Sequence, residues 1–134
     1  MANAIYDKYK QSLLSGTANV ALDSETVKVS LVDSADESFN STDQYYSDVV
    51  TAGVVATATL QNVTVTNGVL NADDVSFSSV SGDTSEALLF WIDTGNTSTS
   101  HLVAWIDTNI DGLPITPDGS NVDITWSASG IFKL

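Results

Sequence analysis

Residues 85–96, SEALLFWIDTGN, and 100–110, SHLVAWIDTNI, carry the same run, Leu-x-x-Trp-Ile-Asp-Thr, fourteen residues apart. The spacer GNTSTS has loop chemistry, so the two copies are expected as consecutive antiparallel strands. The first copy is apolar on both faces: Leu88, Phe90 and Ile92 on one, Leu89 and Trp91 on the other. A strand of that kind is central and covered twice. It therefore demands a second layer, either another sheet or a helix. One echo within a single hairpin is not a repeat architecture.

Working outward, residues 54–80 also read as β. Asn67-Gly68 separates two alternating runs, the strongest short-range hairpin signal. Ala56, Ala58 and Leu60 lie in one phase and Val63 and Val65 in the other, so a bulge or bend is expected at Gln61-Asn62. Residues 26–33, TVKVSLVD, alternate as a strand with one wet face: Val27, Val29 and Leu31 inward, Lys28, Ser30 and Val32 outward. Residues 122–134, VDITWSASGIFKL, are expected as the last strand, with Ile124 and Trp126 inward. Between them, 34–49 is polar and turn-rich and reads as a long, exposed, conformationally variable loop with at most one helical turn.

The N-terminal stretch 3–15, NAIYDKYKQSLLS, has a helical period. Ile5, Tyr9 and Leu13 share a stripe with Tyr6 and Leu14 beside it; Asn3 is the expected cap, and Gly16 the left-handed stop. The helix is expected to pack on the domain's own sheet, with docking on a partner as the alternative. The fold class that follows is mainly β: an antiparallel β-sandwich-like single domain over 1–134, with a short helix or arm at 3–15 and a β body from 26 to 134.

Seventeen acids stand against four lysines and no arginine, a net charge of −13. Such a chain is repelled by a phosphate backbone and has no guanidinium to bridge to one, so nucleic acid is not expected as a partner. There is no cysteine, which removes disulfides, thiolate metal sites and cysteine nucleophiles. No apolar run approaches the ~18 residues of a membrane span, and MANAIYDKYK lacks the apolar core of a signal peptide. A membrane partner is not expected, and synthesis and folding in a cytoplasm are.

Four features of the sequence bear on chemistry. His101 is the one histidine and is expected as simple surface at a hairpin mouth. No serine sits in a nucleophile elbow. Asp73-Asp74 reads as a turn. Asp107, Asn109, Asp111, Gly112 and Asp118 match positions one, three, five, six and twelve of a calcium loop. Against that reading, Asp118 is shorter than the usual bidentate Glu, Pro114 and Pro117 stiffen the loop, and the flanks read as strands. The expectation is an acidic turn. Catalytic residues, metal ligands and cofactors are therefore all expected to be none. Asn40, Asn62 and Asn96 head glycosylation sequons, which without a secretory signal count only as polar loop composition.

AIYDKYKQSLLSG (4–16), DSETVKVSLVD (23–33), YYSDVV (45–50), ATLQNVTVTNGVLNADDVSF (58–77) and VDITWSASGIFKL (122–134) follow one another in an order that spans nearly the whole chain. In that order the chain resembles small virion structural proteins of tailed bacteriophages and cyanophages. The resemblance implies a non-enzymatic structural protein, most concretely a capsid decoration or cement protein. It would be located in the virion, bridge capsomers on the outer shell, and have the major capsid protein or other virion proteins as partners. Neck, tail or baseplate positions are the alternative. From the residues themselves a second alternative is a β-sandwich carbohydrate-binding module stacking sugars on Trp91, Trp105 or Trp126. Parity places Trp91 and Trp105 in the core and leaves Trp126 open. Unprotected strand edges argue for a homo-oligomer, a dimer or trimer.

Overall fold

The computed structural model describes residues 3–108 and 110–134. The first Trp-Ile-Asp strand, Ala87–Ile92, lies in the middle of a five-stranded antiparallel sheet and is buried along its whole length. In chain order the strands are β1 Ala4–Ile5, β2 Val27–Val32, β3 Val54–Thr59, β4 Thr64–Thr66, β5 Val69–Asn71, β6 Val75–Phe77, β7 Ala87–Ile92, β8 Leu102–Ile106, β9 Val122–Ile124 and β10 Phe132–Lys133. One helix, α1, runs from Asp7 to Leu14. The main sheet has the order β1-β8-β7-β2-β3, and the smaller sheets are β10-β5-β4 and β6-β9. The fold is mainly β and sandwich-like.

Register assigns the two faces of the main sheet. Val27, Val29 and Leu31 pair with Ile92, Phe90 and Leu88, so these six side chains share one face. The small sheets cover it: Phe90 meets Trp126 at 5.7 Å and Phe132 at 6.3 Å between ring centroids. Lys28, Ser30 and Val32 pair with Trp91, Leu89 and Ala87 on the other face. That face was expected to be wet, yet Ser30 and Val32 have no exposed surface. The cover is the segment 33–53, of which 34–49 was expected as an exposed loop. It contains two 3₁₀ turns, Tyr46–Asp48 and Thr51–Gly53, and buries Glu37 and Val49. Tyr46 stacks on Trp91 at 4.0 Å and an interplanar angle of 15°.

A polar residue under such a cover must find partners. Trp91 Nε1 donates to Ser30 Oγ at 3.0 Å, and the Ser30 and Thr57 hydroxyls share a bond of 2.8 Å. Lys28 keeps its ammonium at the margin, 3.0 Å from Asp93. Alternation alone could not report a polar strap lying over hydroxyls and one lysine stem.

The N-terminus departs from expectation in its first turn. Ala4 and Ile5 form β1, paired with Trp105 and Ala104 of β8, so the β body includes residues before 26. Asn3 does not cap the helix. Its Oδ1 accepts from the backbone N–H groups of Asp107 and Thr108 at 2.8 and 3.0 Å, which fastens the strand end instead. Tyr6 occupies the cap position without a side-chain bond. Tyr6 and Tyr9 are buried, and the Tyr9 hydroxyl donates to Val20 O at 2.8 Å. Leu14, placed beside the stripe from sequence, is 91% exposed. The stop is as expected: Gly16 has φ +66°, Gly16 N–H bonds Leu13 O, and Thr17 N–H bonds Ser12 O, a Schellman motif.

The β4–β5 hairpin turns at Asn67 and Gly68 with φ of 52° and 79°, a type I′ geometry. The chain bends at Asn62, φ 53°, where it leaves the main sheet for the small one. The expected last strand is two, β9 and β10. Gly130, φ +104°, breaks it, and a Cβ there would collide with the Val69 side chain.

Candidate docking surface

The sites expected or weighed from sequence come first. Among the described residues, the carboxylates of Asp107, Asp111 and Asp118 do not gather into one cluster. Asp107 Oδ2 accepts the Trp105 indole N–H at 3.0 Å, and Asp118 Oδ1 accepts Ser120 N–H at 3.0 Å. Ser120 N–H first, and then the Ser120 side chain, hold the Asp118 carboxyl below its ordinary value. Gly112 has φ +102°, a turn position. Asn109 lies outside the described residues. Asp107 thus serves a buried indole and Asp118 a local turn.

His101 is not simple surface. It is 5% exposed, bridges to Tyr45, and sits 5.1 Å from the Tyr45 ring. Burial holds its imidazole below the ordinary value, and Nδ1 is buried with no hydrogen-bond partner among the described residues. Asp74 Oδ1 accepts Trp126 N–H, and Asp73 O accepts the Trp126 indole N–H, each at 2.9 Å. Trp91 and Trp105 are core, as parity placed them; Trp126 is half-buried against Phe90. The cleft beside it is about 80 Å³, lined by Ile110, Asp111, Trp126 and Ile131 among others. Ordinary small-molecule pockets run from about 300 Å³ upward. Asn40 and Asn96 fold their sequons into local turns, each accepting the backbone N–H and the hydroxyl of the residue two positions on.

Two groupings were not legible in the sequence. Asp33, Asp36 and Asp83 bring their carboxylates within 4.8 Å of one another. Beneath the strap, Glu37 is 4% exposed; its one bond is from Val50 N–H at 3.4 Å, and Oε2 has no partner among the described residues. Burial, followed by the Asp43 charge, raises its carboxyl above the ordinary value despite the Val50 bond. The nearby Tyr6 hydroxyl is also buried without a partner; burial, then the charges of Glu37 and Asp43, raises its pKa far above the usual phenol value.

Two exposed leucines lie at the α1 end. Leu14 is 91% and Leu134 57% exposed, and with Lys10 and Leu13 they line an open apolar depression of about 400 Å³. A second depression of about 490 Å³ includes Ile5, Asp7, Phe39 and Lys133. A third, about 290 Å³, runs between β1 and β10 and includes Ala4, Ile5, Ile106, Ile131 and Phe132. Shared lining residues join the three into one groove.

Charge is segregated along the chain. Three of the four lysines, Lys8, Lys10 and Lys133, lie on α1 and β10 with one acid, Asp7; the remainder carries sixteen acids and Lys28. Asp7 and Lys10 pair at 3.0 Å on the exposed helix face. Lys133 makes no ion pair among the described residues. The groove is therefore a nearly neutral, apolar, lysine-bearing end on a strongly acidic body. The sequence reading missed it because Leu14, set beside the Ile5-Tyr9-Leu13 stripe with Tyr6, counts there as part of the packing face. Two consecutive leucines cannot both share the face of Tyr9, and that was the available signal.

In comparisons with known proteins, the chain matches no family model and none of the curated proteins. No helix of the described residues is long and apolar enough to cross a membrane.

Proposed function

We propose that this protein is a non-enzymatic virion structural protein of a tailed phage, a decoration or cement protein. In this reading it sits on the outside of the capsid shell, bridges neighbouring capsomers, and has the major capsid protein as its partner. The carrying observation is the segregation of charge: an apolar end bearing Lys10 and Lys133 on a chain of net charge −13. That distribution favours attachment by one end with an acidic body held in solvent. It disfavours a position against packaged DNA, where the body would release almost no counterions. Many symmetry-equivalent copies let a modest affinity per copy add up across a lattice.

Self-association belongs to the same reading. β4 is an exposed edge of its three-stranded sheet, and its Val65 is 45% exposed. Pairing such edges between copies gives a dimer or trimer. Light scattering at tens of micromolar (an order chosen from ordinary affinities) should report that mass; a strict monomer argues against it. Placement is tested by a cryo-electron map of the parent particle. Density for this chain on the outer shell supports the reading. Density confined to the tail or neck removes the decoration role and keeps a virion protein.

A further inference from the structure

We propose that the groove between β1, β10 and the outer face of α1 captures an extended segment of a partner protein, acidic and apolar in alternation, by strand addition. The inference shares the lysine-bearing end with the proposed function but concerns the chemistry of its occupant. It does not require that the occupant be a capsid protein.

Three observations converge. First, β1 and β10 are each the last strand of their sheet, and both line the same cleft. Tyr6 N–H bonds Val103 O, so Tyr6 and Ala4 face β8 and the alternation of the ladder turns the N–H and C=O of Ile5 away from it. Leu134 N–H bonds Gly68 O, which by the same alternation turns the backbone of Lys133 away from β5. An extended segment lying here meets outward backbone groups on its flanks. Second, the floor is apolar: Ile5, Ile106, Ile131 and Phe132 in the cleft, Leu13 and Leu14 farther along. Alternate side chains of a strand would enter it while the others stay outside. Third, the charged residues lining the groove are Asp7, Lys10 and Lys133. With Asp7 and Lys10 paired to each other, Lys133 is, among the described residues, the cation left for an incoming group, and it selects a carboxylate.

Charge also ranks the other occupants. A second copy seated by the same groove brings two bodies of −13 together. An anionic lipid surface extends well past the groove and meets the acidic flanks, whereas a single segment stays within a screening length, roughly 8 Å at physiological salt, of the lysines. A lipid surface also leaves the outward backbone of Ile5 and Lys133 unused.

The experiment uses the full chain and a defined probe, a fluorescent capped hexapeptide alternating Asp and Val. Anisotropy should show saturable binding that weakens with salt. Lys133→Glu and Leu14→Ser, both at exposed positions where the fold has little to lose, should each weaken it about tenfold. The same peptide N-methylated at alternate amides should not bind, and the probe should slow hydrogen exchange at the Ile5 and Lys133 amides. The proposal is overturned if the peptide fails to bind at about millimolar concentration, or if both variants bind it as well as the parent. It is likewise overturned if phosphatidylglycerol vesicles, but not the peptide, are bound, which assigns the groove to lipid. Loss of a dimer in Leu14→Ser without peptide binding assigns it to a second copy. Peptide binding without shell density, or shell density without peptide binding, separates this inference from the virion reading.

Discussion

At the scale of single residues, two buried titratable groups under the same strap respond to pH in opposite senses. Glu37 is raised by burial first and by Asp43. Below its ordinary value of 4.5 both folded and unfolded chains hold the proton, and the stability this contributes is lost as pH rises through the raised folded-state value. At neutral pH the raised value is therefore a cost to the fold. Glu37→Gln, which keeps an acceptor for Val50 N–H, is expected to raise stability at neutral pH by roughly 1 kcal/mol, read as a higher urea midpoint. An unchanged or lower midpoint would mean the carboxylate has a partner in solution. His101 is lowered by burial. Its contribution is fully present above the ordinary value of 6.5 and is lost as pH falls through the lower folded-state value. His101→Phe keeps a ring against Tyr45 and removes that loss, so the variant should lose less stability than the parent between about pH 7 and about pH 5. Equal losses in the two proteins would refute it. Asp48 and Asp93 add acid sensitivity of the same sign. Asp48 is lowered by the N–H groups of Gln44 and Tyr45, and Asp93 by Gly95 N–H and then Lys28.

At the scale of elements, β7 and α1 contrast. Every side chain of β7 is buried, and it is paired on both sides. Leu89→Ala removes a side chain with no exposed surface from under the strap and is expected to cost about 2–5 kcal/mol. Leu14→Ser on α1 should change stability by no more than about 0.5 kcal/mol. Comparing the two urea midpoints checks both; a large loss in Leu14→Ser would mean that the leucine packs in solution. The Trp-Ile-Asp echo, the Asn67-Gly68 hairpin, the Asn62 bend and the Gly16 stop were readable because each depends on local chemistry. The interruption of the last strand was less so. A φ of +104° and the approach of Val69, remote in sequence, together demand a residue without Cβ at Gly130. Asn3 shows the same limit. It has the chemistry of a helix cap, and it satisfies two backbone donors more than a hundred residues away instead.

At the scale of the whole molecule, the charge excess sets the solution behaviour. Sixteen acids outside α1 and β10 face one lysine, and mutual repulsion works against the compact state. Screening by salt relieves it. Raising sodium chloride from about 0.01 M to about 0.15 M shortens the screening length from roughly 30 Å to roughly 8 Å, and the thermal midpoint is expected to rise. A midpoint that falls would show that ion pairs such as Lys28–Asp93 outweigh the general repulsion.

The antiparallel, mainly β fold and the double cover of its central strand are legible in the residues alone. So are the hairpin, the helix stop and the core placement of Trp91 and Trp105. Those follow from period, parity and turn chemistry, which act over a few residues. Tertiary structure alone decided that a polar segment covers Ser30 and Trp91, that Glu37 and His101 are buried, and that the last strand is split. It also brought β1, β10 and the outer face of α1 together around one groove. Each of these depends on which distant segments meet, and a polar residue looks the same in sequence whether water or another segment lies over it.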